Sequence, residues 1–190
     1  MIAEASVPAK IILCGEHAVV YGQPAIAIPI HSLRAKAVAY APDSAGQGLR
    51  IRAIDLNREF SLLNPANYAN SNPLLLAAGL FMKQLKLSPP DMTIELRSHI
   101  PVASGLGSGA ATTTAFLRVL GAALSCSVSN DVLNAMVYEV EKVYHGTPSG
   151  IDNTVIVCER PVYFVRNQPI EWPAVGTSFT FLVADTGVRA

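Results

Sequence analysis

The glycine-rich stretch at residues 101–115 constrains the fold more than any other part of this chain. It reads PVASGLGSGAATTTA, so that Gly105, Gly107 and Gly109 occupy alternate positions. A strand-like run at 92–96 precedes it, and an alanine- and leucine-rich segment of helical character follows it. A glycine turn that opens a helix can bind an anion, because small residues let backbone N–H groups approach closely. The same residues also suit a flexible connector, so the function of this loop has to be judged from the other motifs of the chain.

The remaining pattern groups strands with strands and helices with helices, which favours an α+β fold over a doubly wound sheet. Hydrophobic alternation and turn residues predict strands at 5–15 (interrupted near Pro8), 33–40, 49–54, 59–63, 91–98, 161–165 and 179–185. Helices are predicted at 73–87, 109–124 and 131–144, a loop at 16–22 and a short apolar segment at 24–29. Asn72 before Pro73 is typical of a helix start, and Ser129 or Asn130 would cap the third helix.

Composition narrows the class of protein. The chain has 190 residues, 51% of them hydrophobic and 15% charged, and its 14 basic residues balance 14 acidic ones. This balance argues against nucleic acid or a membrane surface as a partner held by net charge, and no apolar run is long enough to cross a bilayer. Cys14, Cys126 and Cys158 lie far apart in apolar contexts, which predicts buried free thiols in a cytoplasmic protein.

A first cluster of polar residues lies at 10–22. Lys10 begins an apolar strand, where an unpaired ammonium group would be costly. It therefore needs a carboxylate or phosphate partner, unless it lies at a sheet edge and extends its ammonium group into water. Glu16 and His17 follow the end of the strand, where polar groups often face a cleft, although a loop histidine is also satisfied by backbone groups.

A second cluster lies at 141–153. Glu141 falls in the last turn of a predicted helix, where a carboxylate opposes the helix dipole unless a cation compensates for it. Lys142 or a bound Mg²⁺ could be that cation. The turn Gly-Thr-Pro-Ser-Gly then leads to Asp152, which suits either a helix or turn cap or a functional carboxylate.

Together the loop and the two clusters supply the groups that phosphoryl transfer requires. These are a backbone cradle for phosphates at 105–109, a carboxylate for Mg²⁺ in Glu141, a carboxylate near the acceptor hydroxyl in Asp152, and a cation in Lys10. The chain lacks the Walker A motif and the protein-kinase motifs, which argues against a P-loop NTPase and a protein kinase.

Three stretches resemble the motifs of the GHMP kinase superfamily, and within it those of the mevalonate kinases. They are residues 8–22 (PAKIILCGEHAVVYG), residues 101–111 and residues 145–153 (HGTPSGIDN). Galactokinases share the Gly-Glu-His core of the first motif but usually continue differently. The resemblance implies a ribosomal-protein-like α/β two-layer N-terminal domain at 1–185. Residues 186–190 would then begin the connection to a ferredoxin-like C-terminal domain that is absent here, together with the family's third glycine-rich motif.

The resemblance also implies a reaction, the ATP- and Mg²⁺-dependent phosphorylation of the primary hydroxyl of mevalonate to 5-phosphomevalonate. Asp152 and Lys10 would be catalytic, and Glu141 and Ser108 would bind Mg²⁺. The ATP-binding residues would be Pro101, Ser104, Gly105, Leu106, Gly107, Ser108, Gly109 and Ala110. The residues on the substrate side would be Glu16, His17, Thr147 and Ser149.

One position departs from the family pattern and leaves a ligand open. Relatives commonly carry Gly-Leu-Gly-Ser-Ser-Ala, and Gly109 stands in place of the second serine. Ser108, a water molecule or one of residues 112–114 would then supply the missing hydroxyl. The alternatives are a phosphomevalonate, galactose or homoserine kinase, and a truncated binding module without catalysis. The sequence leaves open whether the chain forms a homodimer.

Overall fold

A computed structural model of the chain describes residues 1–62, 72–178 and 180–184. Over these residues six strands form one mixed sheet, and four α-helices form a second layer in which two helices pack on the sheet and the other two pack mainly on those helices. The strands are β1 (Ala3–Cys14), β2 (Ala25–Tyr40), β3 (Leu49–Ala53), β4 (Arg58–Leu62), β5 (Met92–Ser98) and β6 (Val162–Phe164). The helices are α1 (Pro73–Leu85), α2 (Ser108–Ala123), α3 (Asn130–His145) and α4 (Ile151–Cys158). The α+β fold class is confirmed.

The sheet has the strand order β1-β2-β5-β3-β4, and β6 pairs with the first part of β2. All pairs are antiparallel except β3 with β5. Alternate residues at both ends of β2 and along β3 are buried, as expected for strands with one covered face; on β2 these are Ala25, Ala27, Ala35, Ala37 and Ala39. Helix α2 lies against β1, β2 and β5, so the hydrophobic core fills the space between the two layers.

Two prolines that suggested strand breaks are accommodated inside long strands. Pro8 lies in β1 next to a register shift between Pro8 and Ala9, and β1 has only β2 beside it. An edge strand with a bulge tolerates a residue that has no N–H to donate. Pro29 lies in β2 between the part that pairs with β6 and the part that pairs with β5, where β1 is its only partner. The predicted segments 24–29 and 33–40 are therefore one strand.

The helix starts follow their capping residues. The side chain of Asn72 accepts hydrogen bonds from the N–H groups of Leu74 (2.8 Å) and Leu75 (3.3 Å), and Ser129, rather than Asn130, caps α3. Helix α4 was not predicted. It is two turns long, and the β-branched residues at 154–157 have weak intrinsic helix propensity. Burial of α4 against α2, α3 and the sheet compensates for that propensity.

Two sequence-based expectations are wrong. The strand expected at 179–185 is not formed over 180–184, where Leu182 is almost fully exposed; residues 179 and 185 lie outside the described part of the chain. The cysteines are free thiols, but Cys14 is exposed and Cys126 and Cys158 are only half-buried. Cys14 is the last residue of β1 and lies beyond a second register shift, between Ile12 and Cys14. None of the helices in the described residues is long and apolar enough to span a bilayer.

Candidate active site

An open cleft of about 890 Å³ runs between the end of β1, the glycine loop and the facing ends of α3 and α4. Most of the residues singled out in the sequence line it. They are Lys10, Glu16, Ser104, Gly105, Leu106, Gly107, Ser108, Gly109, Glu141, Thr147, Ser149 and Asp152. Three stretches that are far apart in the sequence therefore share one cleft.

Three other predicted site residues do not line this cleft. His17 is exposed at the start of a short 3₁₀ helix, Ala18–Tyr21. Ala110 is fully buried in α2 and packs in the core. Pro101 is exposed, but its carbonyl oxygen accepts a hydrogen bond from the Ser104 hydroxyl at 2.8 Å, so it contributes to the shape of the loop.

The glycine loop is fixed to β1 and requires glycine at position 107. The N–H of Lys10 donates to the carbonyl oxygen of Leu106 at 3.1 Å. Gly107 has φ +74°, and a Cβ there would lie 2.7 Å from Cδ1 of Ile156 and 2.9 Å from Cγ of Lys10. Gly105 has the same φ but faces open space. The loop can therefore approach Lys10 and α4 closely only because position 107 has no side chain.

Gly107 is also the N-cap of α2 and, having no side chain, accepts no hydrogen bond from the first turn of this helix. The N–H groups at the start of an α-helix have no intrahelical partner and carry the positive end of the helix dipole. Ser108 and Gly109 lie in this turn and line the cleft. The start of α2 can therefore bind an anionic group by its backbone.

Lys10 and Asp152 form an ion pair at the base of the cleft. Nζ of Lys10 lies 2.9 Å from Oδ1 of Asp152, and the two side chains are 2% and 32% exposed. Asp152 lies in the first turn of α4, directly behind the Gly-Thr-Pro-Ser-Gly turn. Lys10 is therefore a buried lysine with a carboxylate partner, and the alternative of a solvated edge lysine is wrong.

Glu141 is a third charged group beside this pair. It lies in the last part of α3 with 3% exposure, its Oε1 has no hydrogen-bond partner, and its Oε2 lies 3.6 Å from Nε2 of His145. Burial, and secondly the charge of Asp152, raise the pKa of Glu141 to about 7, while Lys10 acts in the opposite direction. Lys142 does not compensate for Glu141, because its ammonium group contacts Glu139 at 2.6 Å.

The residues present fit a hard divalent cation. A buried carboxylate oxygen without a partner, a second carboxylate and the Ser108 hydroxyl line the same cleft. The described residues contain no cluster of three His, Cys, Asp or Glu side chains suited to a metal, so phosphate and water oxygens would complete the shell, as Mg²⁺ sites often require. Thr112 and Thr113 also line the cleft, whereas Thr114 is fully buried in α2 and does not.

The turn before Asp152 is held by the side chain of Ser149 and by that of Tyr138, which the sequence analysis did not single out. The Tyr138 hydroxyl donates to the carbonyl oxygen of Pro148 at 3.3 Å, and the Ser149 hydroxyl accepts from the N–H of Ile151 at 3.3 Å. Gly150, with φ +96°, allows the sharp entry into α4. Residues 134, 138 and 141 follow i, i+4, i+7 spacing on α3, which is the signal that could have grouped them on one helix face.

The part of the cleft that is formed by the β3–β4 hairpin and α1 is mainly apolar, and the sequence analysis did not predict it. Ala53, Leu56, Phe60, Pro73 and Leu74 line it, together with Arg58. These residues come from the β3–β4 hairpin and the start of α1. No motif marks them, because the hairpin and α1 meet only in the folded chain.

The comparisons with known proteins agree with this fold. A model of the GHMP kinases N-terminal domain matches residues 68–160. The chain belongs to the GHMP kinase superfamily and contains its N-terminal domain. Several relatives of this chain are mevalonate kinases. The Aeropyrum pernix mevalonate kinase is 33% identical over 98% of this chain and 58% of its own length.

Solved structures extend the comparison. The crystal structure of the Methanococcus jannaschii mevalonate kinase matches with a TM-score of 0.80 at 26% identity, over 92% of this chain and 56% of that one. A Streptococcus pneumoniae phosphomevalonate kinase matches with a TM-score of 0.67 at 19% identity, over 86% of this chain and 49% of that one, a likeness of fold alone. The chain thus spans about half the length of these proteins.

Proposed function

We propose that the chain carries the phosphoryl-transfer centre of a mevalonate kinase, which converts ATP and mevalonate to ADP and 5-phosphomevalonate. The observation that carries this proposal is the Lys10–Asp152 ion pair beneath the glycine loop, with Glu141 in the same cleft. An anion-binding loop, a paired carboxylate and a buried carboxylate without a partner match the parts that transfer of a phosphoryl group needs.

Asp152 faces the acceptor in this proposal. Its carboxylate accepts a hydrogen bond from the primary hydroxyl and directs the oxygen towards the γ-phosphorus of ATP. As the new O–P bond forms, the bond between the γ-phosphorus and the β–γ bridging oxygen breaks, ADP leaves, and the hydroxyl proton is lost towards the carboxylate. Lys10 holds the carboxylate at 2.9 Å and balances its charge. Glu16, Thr147 and Ser149 lie on the cleft wall and are the proposed acceptor contacts, whereas His17 would have to reach in from outside the cleft.

The nucleotide occupies the other side of the cleft in this proposal. Backbone N–H groups of the loop and of the first turn of α2 bind the phosphates, and the apolar part lined by Leu56, Phe60 and Leu74 accepts the adenine ring. Glu141 and the Ser108 hydroxyl would hold Mg²⁺, which when bound neutralises phosphate charge. Close approach of the phosphates to Lys10 depends on the missing side chain at Gly107.

The test is an acceptor panel on the natural gene product that contains these residues. ADP release is measured with mevalonate, phosphomevalonate, galactose and homoserine, and mevalonate should give the highest kcat/KM. Asp152→Ala should abolish transfer while the Kd for Mg-ATP stays within about twofold, because Asp152 faces the acceptor. Glu4→Ala, which removes an exposed carboxylate of β1 outside the cleft, is the matched control.

The outcomes separate the alternatives. A higher kcat/KM with another acceptor would assign the chain to another GHMP kinase. ATP binding without transfer to any acceptor would support the binding module. Full activity of Asp152→Ala would contradict the assigned centre, whichever acceptor is used.

A further inference from the structure

A directional chain of polar side chains joins α3 to α4 behind Asp152. Nδ2 of Asn153 donates to Oδ1 of Asn134 at 2.6 Å and lies 3.4 Å from its carbonyl oxygen. Nδ2 of Asn134 donates to the Thr154 hydroxyl at 3.2 Å, and this hydroxyl donates to the carbonyl oxygen of Gly150 at 2.6 Å. Asn153 is 3% exposed and lines the cleft.

The direction of this chain is fixed at the Gly150 end. A carbonyl oxygen only accepts, so Thr154 must donate to Gly150 and its oxygen must accept from the amide of Asn134. Asn134 therefore presents Oδ1 to Asn153, which must donate to it. The orientation of the Asn153 amide thus follows from the bonds around it rather than from a choice between two equivalent flips.

Asn153 is an unfavourable residue for packing alone. Its Oδ1 is buried without a hydrogen-bond partner, and a leucine would fill a similar volume without a polar atom. The other inward residues of α4, such as Val155 and Ile156, make apolar contacts, which do not specify direction. The bonds that Asn134 makes with Asn153 and Thr154 are directional and restrain how this short helix is rotated about its axis, beside the bond from the Arg118 guanidinium to the carbonyl oxygen of Val157 at 2.8 Å.

We infer that Asn153 and Asn134 are positioning residues for the phosphoryl transfer proposed above, on which this inference rests. Side chains extend about 5 Å from a helix axis, so a rotation of α4 by about 20° would move the Asp152 carboxylate by about 2 Å. Asp152 then leaves Lys10, while Glu141 on α3 stays in place. A displacement of about 1 Å can reduce a rate by about a hundredfold.

The experiment separates the contribution of side-chain volume from that of the hydrogen bond, and it uses the natural gene product. Asn153→Leu and Asn134→Leu keep the approximate volume and remove the bond between the two residues. Asn134→Asp keeps an acceptor for Asn153. The two leucine variants should lower kcat by at least about tenfold with KM for ATP within about twofold, and Asn134→Asp should stay within about threefold of wild type. Thr93→Val, which removes a buried hydroxyl of β5 outside the cleft, is the control and should keep wild-type kcat.

A crystal structure of Asn153→Leu provides a readout without turnover, in which Nζ of Lys10 should move out of hydrogen-bond distance of Asp152. Folded leucine variants with wild-type kcat and only a lowered melting temperature would overturn the inference, as would an unchanged Lys10–Asp152 contact. If Asn153→Leu does not fold, the comparison of kcat between Asn134→Leu and Asn134→Asp tests the inference instead. If wild type does not phosphorylate mevalonate, the proposed function fails, and the crystal structure alone decides whether the amides position Asp152.

Discussion

Removal of the Lys10 charge tests the electrostatics of the cleft most directly. Lys10→Met keeps the length of the side chain but removes the cation that pairs with Asp152 and lowers the pKa of Glu141. We expect both carboxylates to be destabilised, and the pKa of Glu141 to rise above about 7, because Lys10 is the group that lowers it. The converse variant, Asp152→Asn, should lower the pKa of Glu141, because Asp152 raises it.

The cost of each change follows from the exposure of the group that remains. Breaking a buried ion pair costs about 3–5 kcal/mol when an uncompensated charge stays buried. Asp152→Asn leaves Lys10 at 2% exposure, and since Glu141 still interacts with it we expect the lower end, about 3 kcal/mol. Lys10→Met leaves Asp152 at 32% exposure and partly screened by water, and the buried Glu141 can take up a proton as its pKa rises, so we expect about 1–2 kcal/mol. The double variant should cost less than the sum.

Urea unfolding at pH 8 measures these free energies, and the double-mutant cycle isolates the coupling between the two residues. The Lys36–Glu4 pair is the matched control, because it has the same 2.9 Å separation but side chains that are 49% and 51% exposed. Lys36→Met should cost less than about 1 kcal/mol. Equal costs for Lys10→Met and Lys36→Met, or additive costs within the cycle, would refute the assignment of Lys10 and Asp152 as a buried, coupled pair.

Three further predictions concern the loop, the pH dependence and the thiols. Gly107→Ala should lower the melting temperature clearly more than Gly105→Ala, because both positions have φ +74° but only the first meets neighbouring atoms; equal shifts would contradict the crowding. Without Mg²⁺, the free energy of unfolding should fall by up to about 3 kcal/mol as the pH rises from about 4.5 to 7. The reason is that the raised pKa of Glu141 makes the folded state bind a proton that the unfolded state has already released. Glu141→Gln should remove this dependence of the free energy of unfolding on pH. A thiol reagent at pH 8 should label the exposed Cys14 first and Cys158 slowly, since burial raises the pKa of Cys158. Faster labelling of Cys158 than of Cys14 would contradict the exposed position of Cys14 at the end of β1.

Local signals predicted most of the elements. The Asn72-Pro73 start of α1, the cap of α3 and the alternation of β3 and β5 are short-range patterns, and the structure confirms them. The full length of β2 was not predictable in this way, because Pro29 reads as a break until its pairing partners are known. Helix α4 was missed for a related reason: its residues favour strands, and only its neighbours make it helical.

The cleft was predictable where residue chemistry demanded a partner. A lysine at the start of an apolar strand required an anion, and the structure supplies Asp152 at 2.9 Å. The near-complete burial of Glu141 and the link between Asn134 and Asn153 were not predictable, because both depend on how α3 and α4 pack. The apolar wall near Phe60 was not predictable for the same reason, since it is formed by the β3–β4 hairpin and α1, which are separate in the sequence.

The contacts of Lys10 also determine when the cleft can form during folding. Its N–H binds Leu106, its side chain fills the space left by Gly107, and its ammonium group binds Asp152, so one residue closes two very long chain loops. Closures of this kind are slow. A ribosome releases β1 long before α4, and a fragment limited to the matched residues 68–160 would lack Lys10 altogether. Nucleotide affinity should therefore develop last in refolding and serve as a reporter of the completed native state.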